Sequence, residues 1–114
     1  MIRLVFTTFA NADDAAKAVR TLVEEQVAAC GTILPGARSI YRWKEAIDDT
    51  AECYVVLKTS AERFPDLERR LRAIHPYETP EIVALDPAAV SSDYAAWIIQ
   101  SCGGTPAAQQ TAEL

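Results

Sequence analysis

The fold is set by the segment ECYVVLKT at residues 52–59, which alternates between two kinds of side chain. One side of the alternation is purely apolar and comprises Cys53, Val55 and Leu57. The other side comprises Tyr54, Val56 and Lys58. Because successive side chains of a strand face opposite sides of a sheet, this period of two predicts a strand with one buried face.

A second apolar run at residues 32–43 precedes that strand, and Pro35-Gly36 interrupts it. Proline cannot donate a backbone hydrogen bond, so this second strand must lie at a sheet edge or bend there. The polar residues 44–50 connect the two runs and predict a turn. Together the two strands predict a long antiparallel hairpin.

The N-terminal part of the chain predicts a strand and then a helix. Residues 2–9 are apolar, β-branched or aromatic, which is typical of a buried strand. Residues 14–30 carry apolar side chains at helical spacing, which predicts an amphipathic helix. Asn11 or Asp13 can cap its start with a side-chain oxygen, and Gly31 is well placed to end it.

The part of the chain after the hairpin predicts a second long helix, a strand and a short helix. Ser60 is an N-cap candidate for the long helix, which ends at His75 because a proline follows. Its apolar stripe comprises Phe64, Leu67, Leu71 and Ile74. Residues 81–85 predict a short strand, and Ser91 or Ser92 caps the last helix.

The element order βαββαβ plus a helix predicts an α+β, ferredoxin-like (split βαβ) sandwich, with both main helices on one face of an antiparallel sheet. The opposite face needs another cover, and Tyr41, Trp43 and Tyr54 on the hairpin are candidates to bury it against another subunit. We therefore expect an oligomer. Residues 1–102 are expected to form one domain, and residues 103–114 a disordered tail, since they are small and polar.

Composition excludes several classes of function. With 11 basic and 16 acidic residues the net charge is −5, and the basic residues are scattered, so we expect no binding to nucleic acid. No apolar run approaches the roughly 20 residues that span a membrane, and the N-terminus lacks the zones of a signal peptide, so we expect a cytoplasmic protein. The three cysteines include no CxxC pair, which argues against a disulfide framework or structural zinc site. No Gly-rich phosphate loop, paired histidines or Ser/His/Asp set is visible, so we expect no enzyme and no organic cofactor.

Four segments carry a resemblance to a known family. They are LVEEQVAAC at 22–30, LPGARSIYRW at 34–43, LKT at 57–59 and HPYETPE at 75–81. In order and spacing they resemble the CutA family of divalent-cation tolerance proteins, over about residues 5 to 98. The resemblance implies a ferredoxin-like protomer in a tight homotrimer with a plan similar to the PII signalling proteins. It also implies a role in tolerance of divalent metals, copper above all.

The copper ligands proposed for that family are a cysteine at the end of the first strand, the histidine of the HPY motif and a nearby glutamate. The resemblance places the histidine at His75 and the glutamate at Glu81, with Glu78 as a near alternative. At the position of the cysteine this chain has Thr7. Without a thiolate, imidazole and carboxylate suit Cu(II), Zn(II) and Ni(II), so we expect a weak site that prefers divalent ions.

Each candidate residue has a structural alternative. His75 can act as a cap at the C-terminus of a helix, and the two glutamates can be solvated acids of a loop. Tyr41 and Trp43 can pack between subunits or form a platform on which a ligand stacks. The alternative function is a PII-like small-molecule sensor or regulatory adaptor that binds ligands in clefts between subunits. In that case Arg38, Lys58 and the His75 loop would bind an anion.

Overall fold

The computed structural model describes residues 1–103. Its elements are β1 (Ile2–Phe9), α1 (Ala12–Glu24), β2 (Cys30–Trp43), β3 (Ala46–Ser60), α2 (Phe64–Ile74), β4 (Val83–Leu85) and α3 (Ser92–Ser101). The strands form a four-stranded antiparallel sheet in the order β2-β3-β1-β4. This confirms the predicted α+β, ferredoxin-like arrangement. The tail predicted at residues 103–114 lies, from residue 104 onward, outside the described residues.

The hydrophobic core lies between the sheet and the two long helices. On the two central strands Val5 pairs with Leu57 and Phe9 with Cys53, so these four side chains share one face. All four are buried, as are Leu22 of α1 and Leu67 and Leu71 of α2. Burying one such leucine or valine contributes about 1.5–3 kcal/mol, so this face holds the helices on the sheet. The predicted alternation along β3 is confirmed.

Helix α1 ends six residues earlier than the sequence predicts, at Glu24 instead of residue 30. The chain leaves the helix through Gln26, which has a left-handed φ of 60°. The Val27 N–H then donates to the Leu22 carbonyl at 3.1 Å, which closes a Schellman motif. The prediction was wrong because glycine is the usual residue at this position, and here a glutamine occupies it. Gly31, the expected helix end, lies inside β2.

The hairpin is longer and its turn tighter than predicted. Lys44 and Glu45 alone form the turn, with φ of 49° and 70°, and β3 already begins at Ala46. Two consecutive left-handed residues match the twist of the flanking strands, although Asn-Gly is the usual sequence for such a turn. The strand pairing shifts between Leu34 and Ala37, at the predicted bend, and β2 is an edge strand as predicted.

The later elements also differ at their boundaries. The Ser60 hydroxyl accepts the Arg63 N–H at 3.1 Å, so it caps the turn before α2, and the N-cap of the helix is Arg63. The helix ends at His75 as predicted, with extended ψ of 133°. Ser91 is the N-cap of α3 but its side chain makes no capping bond. No helix among residues 1–103 is both long and apolar enough to cross a membrane.

The sheet face opposite α1 and α2 is apolar and largely open. Register places Leu34, Val83 and Leu85 on this face, because their partners are Tyr54, Phe6 and Leu4. The three side chains are 49%, 47% and 51% exposed. Helix α3 covers one end of the face, where the Lys58 ammonium donates to the Tyr94 hydroxyl at 3.1 Å. The rest forms an exposed apolar strip, which we call the open sheet face.

Candidate functional site

The loop after α2 begins at His75, whose imidazole is buried beneath it. Nε2 lies 2.8 Å from the Thr8 carbonyl, and Nδ1 lies 3.1 Å from the Tyr77 N–H. Because a carbonyl can only accept, the proton is on Nε2, and Nδ1 accepts from Tyr77. The ring also stacks on Phe9, with centroids 4.3 Å apart. Burial lowers the pKa of His75, partly offset by the Thr8 carbonyl and the Glu52 charge. Both nitrogens of this neutral imidazole are therefore engaged.

Two tyrosine–carboxylate pairs tie this loop to strand β3. The Tyr77 hydroxyl donates to Glu52 at 2.7 Å, and the Tyr54 hydroxyl donates to Glu81 at 2.8 Å. Burial, reinforced by the acceptor carboxylate, raises the pKa of both tyrosines. Hydrogen bonds to an ionised acceptor are about twice as strong as neutral ones, so both carboxylates are held in fixed positions.

Glu52 is the most deeply placed acid of this region, at 8% exposure. Within residues 1–103 no positively charged group makes an ion pair with Glu52. The Tyr77 hydroxyl occupies one of its oxygens, Oε2. A buried carboxylate without a cation is unfavourable, so this position would gain from a cationic ligand.

A cleft of about 810 Å³ lies between the outer part of the hairpin and the loop after His75, and we call it the hairpin cleft. Its aromatic lining comprises Tyr41, Trp43 and Tyr77. Its acidic lining comprises Asp48, Glu52, Glu78 and Glu81. Lys44 is the one basic residue among the described residues that line it. The Lys44 ammonium lies 4.0 Å from Glu78 and 5.5 Å from the ring centroid of Trp43. The cleft is therefore acidic and aromatic, and its size is typical of a small-molecule site.

The structure brings two of the predicted metal ligands to this cleft, Glu78 and Glu81, and places His75 beneath the same loop. Within residues 1–103 no group of three His, Cys, Asp or Glu side chains is arranged to hold a metal ion. The assignment of His75, Glu81 and Glu78 as ligands stays a prediction. Thr7 lies fully buried in the core, and its hydroxyl has no hydrogen-bond partner in the described chain.

The two basic residues considered for an anion site lie elsewhere. Arg38 makes two hydrogen bonds to Asp49, each of 2.7 Å, on the surface of the hairpin. Lys58 is bound to Tyr94 at the other end of the sheet. Neither residue lines the hairpin cleft, so the structure does not bring them together with the His75 loop.

Sequence reasoning missed Glu52, because it stands at the start of the predicted strand, where an acid usually faces solvent. The one available signal was its position on the same face of β3 as Tyr54, two residues away. Its pairing with Tyr77, 25 residues further along the chain, could not be read from either segment alone.

Comparison with known proteins agrees with the resemblance of the four segments. The family model described as CutA1 divalent ion tolerance protein matches residues 3–101. The divalent-cation tolerance protein CutA of Thermus thermophilus is 39% identical over 103 residues, covering 90% of this chain and all of that protein.

Solved structures agree as well. A crystal structure of CutA from Xylella fastidiosa superposes with a TM-score of 0.86 at 38% identity, covering 89% of this chain and 97% of that one. A CutA from Archaeoglobus fulgidus, described as periplasmic, has a TM-score of 0.86 at 26% identity and covers 90% and 99% of the two chains. Because the family model matches almost the whole described chain and the fold agrees, this chain belongs to the CutA1 divalent ion tolerance protein family.

Proposed function

We propose that this chain binds divalent metal ions in a metal-tolerance role, as a binding protein and not as an enzyme. The family match over residues 3–101 is the observation that carries this proposal. The acidic lining of the hairpin cleft supports it, because several carboxylates at short range attract cations. We further propose a cytoplasmic location, which cell fractionation can test against the periplasmic description of the Archaeoglobus fulgidus relative.

We propose Glu78 and Glu81 as carboxylate ligands, with His75 joining them. The His75 Nδ1 lone pair can face a metal only after it releases the Tyr77 N–H, which is 3.1 Å away in the present conformation. One chain offers no complete set of donors within residues 1–103, so a neighbouring subunit or water must supply the rest. Imidazole and carboxylate favour Cu(II) over Zn(II) and Ni(II).

We propose a homotrimer as the functional assembly. The open sheet face supports it, since contiguous exposed apolar surface usually marks an interaction site. Sedimentation equilibrium should give the mass of three chains at micromolar concentration. A monomer mass under those conditions would contradict this part of the proposal.

Calorimetric titration with Cu(II) tests the metal site. The parent protein should bind Cu(II) best, and Zn(II) and Ni(II) more weakly. His75→Ala and Glu81→Gln should each lose most of the affinity, while Glu62→Gln, an exposed acid outside the cleft, should behave like the parent. If His75→Ala binds Cu(II) as the parent does, the ligand assignment does not apply to this chain.

A second candidate function is a small-molecule sensor or regulatory adaptor of PII-like plan. The size and aromatic lining of the hairpin cleft favour it, because a metal ion needs neither. A melting screen separates the two functions, since a ligand stabilises the folded protein according to its concentration relative to the dissociation constant. Metals should raise the melting temperature under the first function, and organic ligands under the second.

A further inference from the structure

We propose that a groove lined by arginine side chains, on the helical side of the protein, binds a phosphate group, either as inorganic phosphate or as part of a small phosphate ester. The groove has a volume of about 380 Å³ and lies between the end of α1 and helix α2. We call it the arginine groove, and its lining comprises Glu25, Val27, Arg63, Asp66, Arg69, Arg70 and Ala73. The inference goes beyond both candidate functions, because neither of them uses these residues.

The arginine groove lies on the side of the sheet that α1 and α2 cover. The open sheet face, which supports the proposed trimer, is on the opposite side of the sheet. A trimer assembled through the open sheet face therefore leaves the arginine groove accessible to a ligand. The helical side is also separate from the hairpin cleft, because the two sets of lining residues have no member in common.

The arginine groove carries an excess of positive charge, in a chain whose net charge is −5. Three guanidinium groups line it against two carboxylates, those of Glu25 and Asp66. Asp66 is shared, because one of its oxygens accepts from Arg63 at 2.7 Å and the other accepts from Arg69. Glu25 accepts from Arg70 at 2.7 Å. One positive charge is therefore left without a matching carboxylate among the described residues that line the groove, and an anion can compensate it.

The same contacts hold the guanidinium groups in place and leave N–H groups for a ligand. Arg63 is fixed at two points, since its Nε also donates to the Gln26 carbonyl at 3.2 Å. Within residues 1–103, Arg69 donates hydrogen bonds only from Nη2, and Arg70 only from Nε. Their other N–H groups can donate to a phosphate, whose oxygens match the planar fork of a guanidinium in two parallel bonds. Because the two carboxylates already hold these side chains, ligand binding costs less conformational freedom.

Calorimetric titration of the full chain, in a phosphate-free buffer of fixed ionic strength, tests the proposal. The ligands are inorganic phosphate, glycerol 3-phosphate and, as the neutral control, glycerol. Both phosphate compounds should bind, and glycerol should not. The compound that binds more tightly identifies the source of the phosphate group, the free ion or an ester.

Two substitutions on α2 form a matched pair, because each removes one exposed guanidinium and changes the net charge equally. Arg69→Gln removes a side chain that is 74% exposed, and with it the excess charge of the groove, so it should weaken phosphate binding about tenfold. Arg72 is 62% exposed, pairs with Glu68 and does not line the groove, so Arg72→Gln should bind as the parent does. Arg70→Gln should also weaken binding about tenfold, and it keeps the test valid if Arg69→Gln fails to fold.

The proposal would be overturned if neither phosphate compound bound at millimolar concentration, or if Arg69→Gln and Arg70→Gln kept the affinity of the parent. Equal weakening by Arg69→Gln and Arg72→Gln would also overturn it, because only a general charge effect would remain. So would a fall in the sedimentation mass of Arg69→Gln, since the groove would then lie between copies of the chain. Separate Cu(II) titrations distinguish this proposal from the metal site: Arg69→Gln should retain the Cu(II) affinity of the parent.

Discussion

Replacing Thr7 by valine should stabilise this protein, although the resemblance to the family implies a metal-ligand position there. Thr7 lies in the C-terminal half of β1 with no exposed surface, and its hydroxyl finds no partner among the described residues. An unsatisfied buried hydroxyl costs about 1–3 kcal/mol, whereas a methyl group of nearly the same size has no such cost. We therefore expect Thr7→Val to raise the free energy of unfolding by about 1–2 kcal/mol. For a domain of roughly 100 residues, each 1 kcal/mol corresponds to a rise of roughly 4–8 °C in melting temperature.

Thr59 provides the matched control. It is also fully buried, on the neighbouring strand β3, but its hydroxyl donates to the Val27 carbonyl at 2.7 Å. Thr59→Val leaves that carbonyl without its donor, so it should destabilise the protein by about 1–3 kcal/mol. The two substitutions are chemically identical and should have opposite signs. Urea unfolding measures both, at one protomer concentration because assembly shifts apparent stability.

A loss of stability in Thr7→Val would refute the reasoning, because it would show that the hydroxyl has a partner. A change in the slope of the unfolding free energy against urea concentration would instead indicate an altered unfolded or native state. The two variants would then be compared by their melting temperatures. Thr7→Val should leave Cu(II) affinity unchanged, since a neutral hydroxyl is a poor ligand for copper.

Three further predictions concern the loop and the hairpin. Burial lowers the pKa of His75 below its ordinary 6.5, so the unfolded chain binds the proton more readily. The free energy of unfolding should therefore be steady above about pH 6.5 and should fall as the pH drops from there toward the lowered pKa. In urea titrations at several pH values, His75→Gln should show a smaller fall. Tyr77→Phe removes the hydroxyl that donates to Glu52 at 2.7 Å, and it should lower the free energy of unfolding by about 1–3 kcal/mol in the same urea assay. An unchanged free energy of unfolding would show that the bond does not contribute to stability. Gly31→Ala places a Cβ 2.6 Å from Val19 Cγ1 and should lower stability by about 1–3 kcal/mol in thermal unfolding, whereas an unchanged melting point would mean that the valine can move.

The sequence predicted most where the pattern was long and regular. The alternation along β3 and the helical spacing of α2 each repeat over several residues, and both elements were found. The predicted boundaries of helices and strands were wrong where unusual residues occupy a standard turn or helix end. Gln26 ends α1 in a conformation that favours glycine, and Lys44-Glu45 form a turn that favours Asn-Gly. In both places backbone hydrogen bonds of the helix end or of the paired strands hold an exposed residue in a conformation that it does not itself favour.

The sequence by itself determined the fold class and the family, and it required β2 either to lie at an edge or to bend, because these depend on periodicity, on the local segments that resemble CutA and on one proline. It also indicated Glu78 and Glu81, which lie within one short segment. Only the tertiary structure decided that both nitrogens of His75 are engaged and that Glu52 is buried without a cation. The physical reason is sequence distance: Thr8 lies 67 residues from His75 and Tyr77 lies 25 residues from Glu52, and only folding brings these groups within hydrogen-bond range.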